Sequence, residues 1–93
     1  MHYTYVLLSD VDGQFYTGST SDLKRRFGQH NEGEVPSTKS RRPFRLIYYE
    51  ACLSKADAVA REHYLKSGMG KRYLRNRLKD ALGGLTPLEA RGL

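Results

Sequence analysis

The opening of the chain constrains the fold more than any other segment, because it reads as two strands joined by a tight turn. Residues 3–9 (Tyr-Thr-Tyr-Val-Leu-Leu-Ser) are rich in residues that favour strands and are apolar on both faces. The Asp12-Gly13 dipeptide that follows is a strong hairpin signal, and residues 14–18 supply the returning strand. The sequence therefore predicts a β-hairpin.

The hairpin would bring tyrosines together. A two-residue turn at Asp12-Gly13 would pair Ser9 with Tyr16. Since alternate residues of a strand share a face, Tyr3 and Tyr5 would then point the same way as Tyr16. Half-buried aromatic residues are ordinary in a sheet, so the hairpin alone does not indicate a functional site.

The remaining pattern predicts helices and one more strand. Several candidate caps precede a helix at residues 23–31, Ser54 caps a second helix that runs to about Ser67, and Gly68-Met69-Gly70 breaks it. The predicted elements are strands at 3–9, 14–18 and 44–51 and helices at 23–31, 55–67 and 71–82. The order β-β-α-β-α-α predicts an α+β domain, a small three-stranded sheet flanked by helices, over residues 1–83, with a tail at 84–93.

Composition limits the partners. The 93 residues carry a net charge of +6 at a pI near 9.7, which favours a polyanion such as nucleic acid. The chain contains a single cysteine, Cys52, so an internal disulfide is excluded. No signal peptide and no run of roughly 20 apolar residues is evident, and we expect a cytoplasmic protein without a membrane partner.

Two helices carry polar side chains that could do chemistry. Arg26 and His30 lie four residues apart on one face of the first helix, beside Phe27, which would anchor that helix to the sheet. A structural histidine and a catalytic one are about equally supported there. Glu62 shares a face of the second helix with Ala58 and Leu65, and a carboxylate turned inward requires a partner or a metal.

These groups match the requirements of phosphodiester hydrolysis. The reaction requires a base to activate water, a cation beside the phosphate, and stabilisation of the departing oxyanion. A tyrosine or a histidine, Arg26, and a divalent ion on Glu62 would meet them, and the shortage of acids near Glu62 favours one ion over two. The choice between Tyr16 and His30 as the base stays open.

The chain resembles the GIY-YIG nuclease superfamily, in particular the small stand-alone bacterial branch that is similar to an excinuclease endonuclease domain. The first motif falls at residues 4–6, the second at 16–18, and the Arg-x-x-x-His spacing of Arg26 and His30 also fits. Residues 60–66 (Ala-Arg-Glu-His-Tyr-Leu-Lys) look like the helix that carries the family glutamate.

The resemblance implies a role for each matching residue. It implies that Tyr16 activates the attacking water, that Tyr5 supports the site, and that Arg26 stabilises the phosphate. It implies that His30 is a general base or proton relay, and that Glu62 binds one Mg²⁺ or Mn²⁺ ion. The implied activity is an endonuclease acting on DNA, with structured or damaged DNA, and hence DNA repair, as the expected setting. Asn76 stands roughly where some members carry a supporting asparagine.

Basic side chains lie where they could follow a phosphate backbone. The candidates are Lys39, Arg41, Arg42, Lys66, Lys71 and Arg72. Two other functions fit the same residues less fully. A noncatalytic nucleic-acid-binding module would explain the charge and the tyrosines but not the inward Glu62. An assembly domain would use the leucine stripe of the third helix, at residues 74, 78 and 82, as its contact surface.

Overall fold

A computed structural model describes residues 1–85, with Gly84 and Leu85 described by their backbone alone. Residues 86–93, most of the expected tail, lie outside the described part. The elements are β1 (His2–Ser9), β2 (Phe15–Thr20), α1 (Leu23–Asn31), a short 3-10 helix (Lys39–Arg41), β3 (Phe44–Cys52), α2 (Lys55–Lys66), α3 (Gly68–Arg77) and α4 (Lys79–Leu85). The chain divides into two compact units between Glu62 and His63, and each is described by itself.

The first unit is built on a three-stranded antiparallel sheet in the order β2-β1-β3, which confirms the α+β prediction. The central strand is the apolar opening segment, and residues 4–9 of it are buried. Its core consists of Tyr5, Leu7 and Phe44, and α1 packs Leu23 and Phe27 against that core. The sheet face that α1 covers is called the α1 face below. The opposite one, which α2 contacts, is called the α2 face.

The hairpin loop is longer than the two-residue turn that the sequence predicts. It spans residues 10–14 and is organised by Ser9, whose amide donates to the Gln14 carbonyl at 3.1 Å and whose carbonyl accepts from Gly13 at 3.0 Å. The Ser9 hydroxyl oxygen also accepts from the amides of Val11 and Asp12. Gly13 has φ +69°, a conformation that favours glycine.

The predicted hairpin register is therefore wrong by two residues. Tyr16 pairs with Leu7, not with Ser9, and Gly18 pairs with Tyr5. A shift of two keeps every side chain on its face, because the strand repeats every two residues. Tyr5 and Tyr16 still share the α1 face, and their ring centroids lie 6.4 Å apart.

Helix α1 begins and ends where the sequence predicts. Asp22 is the N-cap, and its side chain accepts a hydrogen bond from the amide of Arg25. Asn31 in the last turn bonds in both directions with the backbone of Phe44, accepting at 2.7 Å and donating at 3.1 Å. These bonds connect the end of α1 to the start of β3.

Strand β3 is an outer strand and carries a bulge. Tyr48 pairs with Val6 and Leu46 pairs with Leu7, so Ile47 is the extra residue. On the α2 face, the Thr4 hydroxyl donates to the Ala58 carbonyl at 2.7 Å, which connects β1 to α2.

In the described part of the second unit, α3 and α4 lie where the sequence predicts a single helix. Ser67 caps α3, its side chain accepting from the amide of Gly70 at 3.1 Å, so the glycine segment begins a helix and does not break the chain into a loop. Gly70 is buried, and a side-chain carbon there would collide with the Tyr64 carbonyl oxygen. The helix from 71 to 82 is interrupted at Leu78, and α4 continues through Gly83 and Gly84. Among the described residues, no helix is long and apolar enough to cross a membrane.

Candidate active site

The hydroxyl of Tyr5 lies against the backbone of β2. A side-chain carbon on Gly18 would come within 2.6 Å of the Tyr5 hydroxyl oxygen and 2.8 Å of the adjoining ring carbon. Such distances are shorter than real side chains tolerate, so glycine at position 18 is what admits the ring. The pairing of the two motifs thus positions the phenol.

A chain of hydrogen bonds leads from that phenol into the protein. The Tyr5 hydroxyl lies 2.9 Å from Nε2 of His30, and Nδ1 of His30 lies 2.8 Å from Oγ1 of Thr38. Thr38 in turn donates to the Val35 carbonyl. His30 and Thr38 are both fully buried, and Tyr5 is 1% exposed. The three side chains form one buried polar network.

The network fixes the proton positions. Burial, assisted by the positive charge of Arg26, lowers the pKa of His30 to about 4, so its imidazole is neutral at pH 7. Because the hydrogen of Thr38 points to the Val35 carbonyl, we assign the imidazole hydrogen to Nδ1, which donates to Thr38. Nε2 then accepts the hydrogen of Tyr5.

Tyr16 and Arg26 complete a cluster around Tyr5. The ring of Tyr16 lies 4.9 Å from that of His30, measured between centroids, and Tyr16 is half-buried. Arg26 donates a hydrogen bond to the side-chain oxygen of Gln29 at 3.2 Å, and its guanidinium interacts with the Tyr5 hydroxyl closely enough to oppose the rise in the pKa of Tyr5. A guanidinium held in this way has its position set by the protein.

Glu62 acts on the same phenol. Burial above all raises the pKa of Tyr5 to about 12, opposed by Arg26, with smaller upward contributions from the neighbouring Tyr16 and, least, from the Glu62 carboxylate. Glu62 is half-buried near the end of the first unit. The carboxylate of α2 thus lies within electrostatic reach of the phenol that the first motif supplies.

The predicted catalytic residues therefore come together, with one qualification for His30. The rings of Tyr5, Tyr16 and His30 contact one another, and Arg26 and Glu62 both affect the pKa of Tyr5. The fully buried imidazole contacts solvent nowhere. Within residues 1–85, no three His, Cys, Asp or Glu side chains lie together as a preformed metal site.

The Arg41 guanidinium makes its contacts within the protein. Its guanidinium bonds to Asp12 at 2.7 Å, donates to the carbonyls of Gln14 and Phe15, and lies 5.6 Å from the centre of the Phe44 ring. The pKa of Asp12 falls to about 2, chiefly because of this hydrogen bond. Arg41 therefore connects the hairpin loop to the 3-10 helix and has a structural role.

The other predicted DNA contacts lie on the surface. Lys39 and Arg42 are exposed in the segment between α1 and β3, where the Arg42 guanidinium packs over Gly33. In the second unit Lys66 is exposed at the end of α2, and Lys71, Arg72 and Asn76 are exposed on α3.

Sequence reasoning missed Thr38 and Gln29. Thr38 lies in a long loop where no periodicity applies, so no local signal connects it to His30. Gln29 lies three residues after Arg26 on one helix, a spacing that brings side chains together, so that contact could have been inferred.

Comparison with known proteins identifies the family. Residues 1–79 match the GIY-YIG catalytic domain. The chain therefore belongs to the GIY-YIG family of nucleases. It is 39% identical over 67 residues to the UPF0213 protein HQ_3675A of Haloquadratum walsbyi, covering 71% of this chain and 74% of that one.

Two further relatives carry the same UPF0213 name. The protein from Lacticaseibacillus paracasei is 44% identical over 66 residues, covering 70% of this chain and 73% of that one. The solution NMR structure of the UPF0213 protein BH0048 from Bacillus halodurans is 37% identical in sequence. It aligns with a TM-score of 0.49, over 95% of this chain and 89% of that chain.

Proposed function

We propose that this chain is a divalent-metal-dependent endonuclease that hydrolyses phosphodiester bonds in structured or damaged DNA. The observation that carries the proposal concerns the Tyr5 phenol. Tyr16 lies beside it, and both Arg26 and Glu62 act on it electrostatically. A phenol, a guanidinium and a carboxylate that binds a metal ion can supply the base, the cation and the oxyanion stabilisation that phosphodiester hydrolysis requires.

Tyr16 is the better candidate to activate water. A tyrosine takes a proton from water only after it has lost its own. Tyr5 is poorly suited to that step, because its pKa is raised to about 12 and its proton is held by His30. His30 is buried and cannot meet water directly. We therefore assign water activation to Tyr16, whose half-buried hydroxyl would first release its own proton to solvent, and treat His30 as a positioning residue that acts through Tyr5.

Tyr5 would orient the nucleophile. Because the Tyr5 hydroxyl donates its hydrogen to Nε2 of His30, the Tyr5 oxygen still has lone pairs that can accept a hydrogen bond. A water molecule donating to the same oxygen would present a lone pair to the phosphate. Arg26 would contact the phosphate and stabilise the charge that develops there.

Glu62 fits the requirement for one metal ion completed by substrate. Mg²⁺ is commonly bound by one or two carboxylates together with substrate phosphates and water, and Mn²⁺ also suits oxygen ligands. Glu62 supplies one carboxylate, which acts electrostatically on the Tyr5 phenol. The ion would stabilise charge on the phosphate and on the leaving oxygen. We expect the ion to bind weakly until DNA is present.

DNA backbone contacts are proposed for the exposed lysines and arginines. The candidates are Lys39, Arg42, Lys66, Lys71 and Arg72. Arg41 is left out because its guanidinium already serves Asp12 and two carbonyls. Such contacts supply affinity without sequence information.

The test is cleavage of a panel of linear, nicked, flap and branched DNAs with Mg²⁺ or Mn²⁺ and with a chelator. Glu62→Gln and Tyr16→Phe should each lower the rate at least about 100-fold, the usual contribution of an acid or base. Tyr48→Phe is the matched control, because it removes a hydroxyl that bonds to Glu50 outside the cluster. Cleavage by Glu62→Gln at the rate of the parent protein would overturn the proposal. A parent protein that binds the DNAs and cuts none would indicate a noncatalytic binding module.

A further inference from the structure

A groove of about 540 Å³ lies on the α1 face, and Tyr5 is not among its lining residues. Its apolar walls are Tyr3, Leu23, Phe27, Leu46 and Tyr49, and its polar part consists of Ser21, Asp22 and Lys24. It is called the Tyr49 groove below. The mechanism proposed above uses none of these residues.

The aromatic rings of the groove are fixed and yet accessible. Tyr3 and Tyr49 contact each other edge to face, with centroids 6.1 Å apart and planes at 62°. An edge-to-face contact holds a ring without covering both of its faces. Tyr49 is 54% exposed, a high fraction for an aromatic residue on a packed sheet. The groove therefore offers a flat apolar surface in a set position.

The Tyr49 groove lies close to the catalytic cluster. Tyr49 pairs with Tyr5 across β1 and β3, while the Tyr5 hydroxyl lies over Gly18 on β2. The two places are thus about two strand spacings apart, roughly 10 Å. A stacked strand advances about 3.4 Å per nucleotide, so a few nucleotides cover that distance.

We propose that the Tyr49 groove stacks an unpaired base of the DNA strand that the chain cuts, a few nucleotides from the cleaved bond. This inference rests on the proposed nuclease function and specifies the substrate as DNA with unpaired bases. Aromatic side chains bind any base by its flat face, without sequence preference. The Asp22 carboxylate at the rim caps α1, so it and Lys24 leave the groove close to neutral. A neutral ring therefore suits the interior, and Lys24 can contact a neighbouring phosphate.

The chemistry of the whole chain favours a nucleic acid as the occupant. The net charge of +6 opposes association with another basic surface and attracts a polyanion. Tyrosine combines an aromatic face with a hydroxyl that stays hydrated, which suits a base bound at an open surface. A protein segment packing on the same groove would depend on apolar volume and not on aromaticity, and this difference can be measured.

Binding is measured by fluorescence anisotropy in chelator, so that no strand is cut. The probes are a hairpin DNA with a single-stranded flap and the same hairpin with a blunt end. Tyr49→Ala and Tyr49→Leu should each weaken binding of the flap DNA about tenfold, equivalent to about 1.4 kcal/mol, and leave the blunt hairpin within about twofold. Tyr49→Phe, which keeps the ring, should bind like the parent protein. Leu53→Ala, at an apolar residue that is 87% exposed, is the matched surface control.

A second readout locates the stacked base. 2-Aminopurine placed at successive flap positions should lose fluorescence at one or two positions when the parent protein binds, and keep it with Tyr49→Ala. Lys24→Gln should lower the slope of log affinity against log salt by about 1. Retained affinity in Tyr49→Leu would indicate an apolar contact and overturn the inference.

The two proposals can fail separately. If the parent protein cuts DNA, and Tyr49→Ala binds flap and blunt DNA as the parent does, the stacking site is wrong and the nuclease stands. If no DNA is cut while the Tyr49-dependent preference for flap DNA persists, the nuclease proposal fails and the stacking site stands.

Discussion

The two faces of the sheet are held to their helices by different kinds of polar contact. On the α1 face, Tyr5, His30 and Thr38 form a buried chain of neutral groups. On the α2 face, the neutral Thr4–Ala58 bond is joined by an ion pair, in which Arg61 bonds to both oxygens of the Glu50 carboxylate at 2.8 and 2.7 Å and the side chains stay 40% and 25% exposed.

The difference reflects what each face does. Neutral hydrogen bonds keep each proton on a defined atom, and a phenol near a phosphate requires this. Such bonds form only where the groups are buried and the histidine is neutral. A half-exposed ion pair avoids the cost of full burial and contributes little to stability. We therefore expect the α1 face to be sensitive to acid and the α2 face to be sensitive to salt.

The largest expected effect is acid destabilisation through His30. Its folded-state pKa of about 4 lies below the ordinary 6.5, so the unfolded chain takes up that proton first as the pH falls. The stabilisation is complete above pH 6.5 and declines between pH 6.5 and 4, with a total loss on the order of 3 kcal/mol. Urea unfolding at a series of pH values across that window measures it.

Two histidine variants sharpen this prediction. His30→Gln should be less stable at neutral pH and should lose the slope of stability against pH in that window, whereas His63→Gln, at an exposed position, should keep it.

The α2 face loses stability to acid only at lower pH. The hydrogen bond from Arg61 lowers the pKa of Glu50 below its usual 4.5, so that stabilisation is lost only as the pH falls through the lowered value. A parent protein equally stable at pH 7 and pH 4 would contradict the contrast between the faces.

The next effect concerns the close approach on the α1 face. Gly18→Ala would place a carbon 2.6 Å from the Tyr5 hydroxyl oxygen, and we expect it to cost about 2 kcal/mol of unfolding free energy. Because the ring must move away from Arg26 and His30, cleavage should fall further than stability alone explains. Gly28→Ala is the control, since nothing lies within 4 Å of the added carbon, and it should stabilise α1 by up to about 1 kcal/mol. A Gly18→Ala protein with full activity would show that the phenol can move freely.

The smallest effect belongs to the α2 face. Arg61→Met should lower the unfolding free energy by roughly 0.5 kcal/mol, because exposed ion pairs contribute little. The difference between the parent and the variant should shrink further at about 1 M salt, where charges are screened. A cost above about 2 kcal/mol, unchanged by salt, would mean that both faces depend on buried polar contacts to the same degree.

Much of the fold could be predicted from local patterns. The apolar opening strand, the Asp22 cap and the boundaries of α1 follow from residues close in sequence. The burial of His30 also had a signal, since it lies seven residues after Leu23 and three after Phe27, on the apolar stripe of α1. The Arg-x-x-x-His spacing indicates a catalytic pair, whereas the position of His30 on the apolar stripe indicates burial.

What could not be predicted depends on residues far apart in the chain. Arg41 bonds to Asp12 across 29 positions, and His30 bonds to a threonine in a loop without periodicity. The hairpin register was missed because the Ser9 side chain organises a five-residue loop, whereas Asp12-Gly13 alone suggests a shorter one. The split between α3 and α4 likewise lacks a glycine or proline to mark it.

The bulge at Ile47 resets the alternation of β3. Tyr49 and Leu46 are an odd number of positions apart, so in a regular strand they would point to opposite sides. The extra residue makes them neighbours on one side, together with Phe44 in the core. Straightening the strand with Ile47 still in it would turn either the core phenylalanine or the exposed tyrosine to the wrong side, whereas deleting Ile47 would keep both on one side in a regular strand. The bulge therefore allows a strand that is one residue too long to supply both the core and the groove.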